Sequence, residues 1–418
     1  MTDDGRLSKV EILIQQKKFK EAERILKELY FHDSNNILFL SLLAEVNLQQ
    51  DKLVEAKSLI DNAIGQSPDL PHLFYIKSRI AVQEDEYDEA EKNINEAIKL
   101  DPYNANYYAV FASVKLTRKQ FETALSLANK ALEIDSENLL GLNIRSTALL
   151  KLKRNNESFN TIEGALREDP NNAYTHANYG WGLLEKGDHK KAMEHFKESL
   201  KKDPSFEYAQ MGMIEAIKAT NLLYRLFLKY SFWIGNLTSK YQWGVIIGFY
   251  LGVRALRVIA QTNATLRPYL VPIIIAMVIL AFSTWVMEPI SNLFLRFNTY
   301  GQLLLNKKEK ISSNFVAASL AIFLLGTLIY ILTKEEYYLS IAVFGFAMMV
   351  PFSTMFKASK YKNALLVYAI VMGAIGSLAI AITFLTGNLF NFLAIGFLIG
   401  FIGFQWIANF LFIREDNK

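Results

Sequence analysis

The sequence predicts an all-α protein in two parts, a solenoid of repeated helix pairs over the first half and a bundle of transmembrane helices over the second. Three observations carry this. A small residue recurs every 34 positions from Ala22 to Ala192. Uncharged apolar runs long enough to cross a bilayer of ~30 Å fill the region after residue 268. Charge divides between the halves: residues 1–218 hold 29 Lys+Arg against 35 Asp+Glu, and residues 219–418 hold 16 against 6.

The net charge of +4 therefore has its basic source in the second half alone, where the bases sit between apolar runs. That distribution belongs to membrane topology, not nucleic-acid binding. Cysteine is absent, which excludes disulfides, thiolate metal sites and cysteine catalysis. The opening residues, "MTDDGRLSKVEILIQQKKFKEAERIL", have no apolar core followed by small residues, so no signal peptide is expected there.

In the first half, Ala22, Ala56, Ala90, Ala124, Ser158 and Ala192 stand 34 residues apart. Twelve positions later come Ser34, Pro68, Pro102, Ser136, Pro170 and Pro204, each after an apolar helix pattern. Ala44, Ser78, Ala112, Ser146 and Gly180 share one register position, and Ala63, Ala97, Ala131, Ala165 and Ser199 another. Small residues at crossing points and a breaker at the end describe a helix pair repeated in tandem. The pattern resembles the tetratricopeptide repeat (TPR), and the stretch with Gly180, Leu183, Gly187, Ala192, Phe196 and Pro204 matches it best.

Six units are expected, at 3–36, 37–70, 71–104, 105–138, 139–172 and 173–206. The first departs from the pattern, with Val10 and Leu29 where small residues belong, and reads as a degenerate cap. Residues 207–242 supply a capping helix, "EYAQMGMIEAIKA", and an interfacial amphipathic segment. His189 and His195, six apart, do not share a helix face well and read as surface histidines, so no metal is expected.

The resemblance implies a concave groove lined by the first helix of each unit. Carried over residue by residue, it shows Tyr75, Arg79, Asn106, Asn143, Tyr174, Asn178 and Trp181. Leu42, Ile76, Val110 and Ile144 occupy the sixth position of their units and read as packing between adjacent first helices. The basic clamp with which some members hold a C-terminal carboxylate is absent. Asn178 matches an asparagine that some members use on a peptide backbone, and Trp181 is the expected anchor, an indole being bulky and having a donor to satisfy.

Five spans are expected within 269–413, at 269–287, 313–333, 337–356, 363–385 and 389–413, with 414–418 as a tail. Arg296, Lys307, Lys308 and Lys310, then Lys357, Lys360 and Lys362, then Arg414 and Lys418 lie in three segments on one side, which the positive-inside rule makes cytoplasmic. A cytoplasmic repeat array then needs another crossing, and 243–261 is a marginal span or re-entrant helix, marred by Arg254 and Arg257. "LFLKYS" at 226–231 and "LFLRFN" at 293–298 have the composition of interfacial helices. Gly373 and Ser377 in one run, and Gly396 and Gly400 in the next, fit close helix packing within a hairpin, ahead of homo-oligomer formation.

All five histidines precede residue 196, and neither HExxH, GxSxG nor a phosphate-cradling loop occurs. No enzyme activity and no cofactor are expected. The sequence points to a membrane-anchored adaptor that recruits a protein or peptide segment through its groove, sits in the lipid bilayer of a bacterial inner membrane and binds no nucleic acid. The alternative is an accessory or regulatory subunit of a membrane transport or envelope-assembly complex.

Overall fold

The computed structural model describes residues 3–295, 305–356 and 363–415, which form helices and their connections. Among the described residues there is no strand. The chain divides into two compact units, Met1–Gly182 with Glu198–Pro204, and Leu183–Lys197 with Ser205–Asn417.

The first unit is built from helix pairs: α1 (Asp3–Gln15) and α2 (Phe19–His32), α3 (Ile37–Gln49) and α4 (Leu53–Gln66), α5 (Pro71–Gln83) and α6 (Tyr87–Leu100), α7 (Ala105–Thr117) and α8 (Phe121–Ile134), α9 (Leu139–Lys151) and α10 (Asn155–Glu168). α11 (Ala173–Lys186) and α12 (His189–Lys202) continue the series. Asparagines start several of the first helices. Asn36, Asn104, Asn138 and Asn172 each accept a backbone N–H of the following turn, at 2.9–3.1 Å. These bonds satisfy donors that the helix itself leaves open.

The turn inside each pair is left-handed. Lys17, Asp51, Asp85, Lys119 and Lys153 hold φ between 57 and 63°, and Gly187 holds 96°. These positions are 34 apart, and only Gly187 carries the residue type that takes this conformation without steric penalty. Crossing points are tight: Ala22, Ala44, Ala56, Ala90, Ala112, Ala124 and Ala192 are fully buried. Where serine replaces alanine, its hydroxyl is paired. Ser146 Oγ donates to Ser158 O at 3.0 Å and Ser158 Oγ to Ser146 O at 2.8 Å. In the first pair, Val10 and Leu29 are both fully buried, so larger side chains fill the space that alanines leave elsewhere.

In the second unit, α13 (Glu207–Lys218) is followed by α14 (Leu222–Gly235). Phe196 packs onto α13 at Gly212. Tyr224 donates its hydroxyl to Glu215 at 2.6 Å, and the buried Lys218 ammonium meets the same carboxylate at 3.0 Å. Burial and the Glu215 charge push the Tyr224 phenol far up. Asn236 donates to Glu185 at 2.7 Å. α14 contains "LFLKYS", with Leu226 and Tyr230 exposed and Leu228 buried. The matching "LFLRFN" runs past Leu295, outside the described residues, as do Arg296, Lys357, Lys360, Lys362 and Lys418.

Next come α15 (Ser239–Thr262), α16 (Arg267–Leu295), α17 (Lys307–Thr333), α18 (Tyr338–Thr354), α19 (Ala364–Thr386) and α20 (Phe392–Glu415). Five of them, α15, α16, α17, α19 and α20, are long and apolar enough to cross a membrane. Residues 243–261 lie within one uninterrupted helix of 24 residues despite their two arginines. α18 is 17 residues, about 26 Å at ~1.5 Å per residue.

Backbones in the α17–α18 hairpin touch. A Cβ at Gly345 would stand 2.5 Å from Phe323 N, and one at Gly326 2.7 Å from Ala342 N. Ser312 Oγ donates across to Phe352 O at 2.7 Å. In the α19–α20 hairpin, Tyr368 donates to Gly400 O at 2.9 Å, and a Cβ at Gly400 would stand 2.7 Å from Met372 Sδ. Gly376 faces the rings of Phe344 and Phe397. The expected stripe is only partly at this contact: a Cβ at Gly373 would stand an ordinary 3.7 Å from Met348 Cε, one at Gly396 would meet open space, and Ser377 is exposed and bonded to its own helix. Helix rotation puts Gly376, three residues beyond Gly373, at the close approach instead.

Candidate functional site

The first helices α3, α5, α7, α9 and α11 bring the groove residues together in two groups. In the earlier group, Tyr75 is half-buried between His72 and Tyr107, at centroid distances of 5.7 and 5.3 Å. Arg79 lies 5.4 Å above the Tyr75 ring and pairs with Glu45 at 2.6 Å. Burial, aided by the Glu45 charge, pushes the Tyr75 phenol up. The Arg79 charge is thus already matched from the neighbouring repeat. Asn106, exposed, accepts a hydrogen bond from Asn138 Nδ2 at 2.9 Å.

The later group is a ladder of polar side chains between α9 and α11. Asn143 is 1% exposed. It donates to Leu139 O at 2.8 Å and to Thr175 Oγ1 at 2.9 Å, and accepts from Asn178 Nδ2 at 3.1 Å. Asn178 in turn accepts from Thr147 Oγ1 at 3.1 Å. Each amide therefore has partners on both of its atoms, which is what a buried amide requires. Beside the ladder, Trp181 is half-buried and Tyr174 is 41% exposed. Of the residues named from the sequence, Asn143 thus lies inside the wall, while Tyr174 and Trp181 reach the surface.

Thr147, Thr175, His72, Tyr107 and Glu45 belong to these clusters and were not among the groove residues read from the sequence. Their signal was present in register: Glu45, Arg79 and Thr147 occupy one repeat position, and Tyr107 and Thr175 another. Among the described residues, no group of three or more His, Asp or Glu could hold a metal ion. In the second unit a cavity of about 180 Å³ lies between α18, α19 and α20, lined by Val343, Phe344, Ala379, Thr383, Ala394 and Phe397 among others. Its lining holds no ionisable side chain.

A family model described as tetratricopeptide repeat matches residues 13–80, and a second of the same description matches residues 71–104. Tetratricopeptide repeats build this part of the chain. No curated protein matches. Among solved structures, a tetratricopeptide repeat protein from Parabacteroides merdae is 15% identical with a TM-score of 0.45, covering 50% of this chain and 81% of its own. A thermophilic TPR protein in Thermus thermophilus is 15% identical, TM-score 0.41, covering 44% and 99%. YrrB, a TPR protein with an unusual peptide-binding site, is 17% identical, TM-score 0.32, covering 44% and 96%.

Proposed function

We propose that this protein is a membrane-anchored adaptor whose TPR groove holds a peptide or protein segment against its fifth and sixth repeats. TPR arrays are protein-interaction modules, and the Thr147–Asn178–Asn143–Thr175 ladder carries the assignment to this part of the groove. The ladder fixes two first helices against each other, so the indole of Trp181 and the phenol of Tyr174 are held in place before a partner arrives. Preorganised aromatic side chains lose little rotamer freedom on binding and make effective anchors. Because the amides bond to each other, direct contact falls to these two rings.

Five helices of crossing length and apolarity support the membrane anchor. The bases Lys307, Lys308 and Lys310 at the start of α17 support a cytoplasmic array, in a bacterial inner membrane. A second reading, an accessory subunit for transport or envelope assembly, is favoured by the apolar cavity in the helical bundle, which has room for part of a lipid or peptide chain.

The test is co-purification from native membranes. Trp181→Ala should lower partner recovery about thirtyfold, the effect of losing an anchor worth ~2 kcal/mol. Equal recovery with wild type and Trp181→Ala would place binding elsewhere.

A further inference from the structure

α15 presents a row of residues spaced three and four apart, Ile247, Tyr250, Arg254 and Arg257, all exposed. Only 6% of its most apolar window is buried inside the molecule, and around the two arginines the helix shows Leu251, Val258 and Ile259, also exposed. Among the described residues, neither guanidinium has a hydrogen-bond or ion-pair partner. The sequence offers none nearby either. Between Glu215 and Glu288 there is no acidic residue, while Arg254, Arg257 and Arg267 fall close together in that stretch.

From these observations we propose that Arg254 and Arg257 bind the phosphate of an anionic phospholipid. The proposal rests on the membrane-anchor reading above. Two guanidiniums three residues apart share one helix face, with Cβ atoms about 5–6 Å apart, a spacing from which both can reach one phosphate. Guanidinium binds phosphate through paired N–H donors. Arg257 stands five residues, about 7.5 Å, before the end of α15 at Thr262, and Arg254 about 12 Å before it, both in the C-terminal half of the helix, from which a long side chain can snorkel toward the headgroups. An unpaired arginine at that depth is costly, and a lipid phosphate drawn to it removes the cost. The surrounding apolar surface selects a lipid as the source of the phosphate, because a soluble anion would have to leave water to arrive.

The full-length protein reconstituted into vesicles of phosphatidylcholine and phosphatidylglycerol, then extracted into mild detergent, allows retained lipid to be counted by native mass spectrometry. Wild type should keep phosphatidylglycerol in preference to phosphatidylcholine. Arg254→Gln with Arg257→Gln should reduce that retention about thirtyfold, in line with two bases at a charged interface, whereas Arg254→Lys with Arg257→Lys should retain an intermediate amount. Equal retention by wild type and the double glutamine variant would overturn the proposal. So would displacement of the lipid by inorganic phosphate, which would make the site one for a free anion. Carbonate washing of the membranes separates the two readings: a chain that washes off refutes the anchor itself, and a resistant chain with unchanged lipid retention refutes only the arginine site.

Discussion

The ring of Phe196, fully buried, lies so close to the α-carbon of Gly212 that a methyl group there would overlap it. Gly212→Ala should therefore force α13 away from α12 and cost about 1–3 kcal/mol, the usual penalty of overpacking. Limited proteolysis of the detergent-solubilised chain should show faster cleavage around residues 200–220. Adding Phe196→Leu should recover part of the loss, and a Gly212→Ala protein as resistant as wild type would contradict the packing.

The asparagine ladder makes a different prediction. Asn143→Ala removes the amide donor to Thr175 Oγ1 and the side-chain acceptor of Asn178 Nδ2, and should cost about 1–3 kcal/mol of array stability, read as a lower thermal midpoint. Trp181→Ala should leave that midpoint nearly unchanged while losing the partner. If both variants lose stability equally, the indole is a structural residue and not an anchor.

Five turns of the array hold a non-glycine residue in the left-handed region. Lys119→Gly and Lys153→Gly should each stabilise the array by about 0.5–1 kcal/mol, the relieved backbone strain exceeding the added freedom of glycine in the unfolded chain. Urea unfolding of single and double variants would check this, with additive gains expected because the turns are separate.

Acid should weaken the junction of the first two repeats. Burial alone would raise the Glu23 pKa, but hydrogen bonds from Lys27, Lys52 and Gln50 bring it from 4.5 down to about 2. A carboxylate with a depressed pKa contributes stability that is fully present above about 4.5 and is lost as pH falls from there toward 2. The contribution is of order 2 kcal/mol, reduced by salt because both lysines are more than a third exposed. Glu23→Gln should flatten this part of the pH–stability curve. An unchanged acid limb would exclude the cluster as its source.

For topology, cysteines introduced singly at the exposed Glu11, beside buried residue 10, within 307–310 and at the C-terminus should all resist a membrane-impermeant thiol reagent in intact cells and react after lysis. Labelling of residue 11 alone from outside would support an odd number of crossings.

The 34-residue spacing determined by itself where helix pairs begin, because a small residue at a helix crossing and a breaker after it are requirements of local geometry that no distant contact can relax. Apolar run length likewise marked the later helices, since a long uncharged stretch makes no helix suited to water. Tertiary structure decided what the polar residues do. Asn143 is indistinguishable in sequence from a surface amide, yet helix rotation against α11 turns it inward onto Thr175 and Asn178. The same applies to Gly376 and Gly345, whose close approaches follow from the rotation and tilt of each helix against its neighbour, which a stripe of small residues leaves open. Arg254 and Arg257 were legible as a flaw in an apolar run, but that both face outward from α15 depended on how that helix is rotated against its neighbours. Periodicity fixes which residues share a face, and only packing fixes what that face meets.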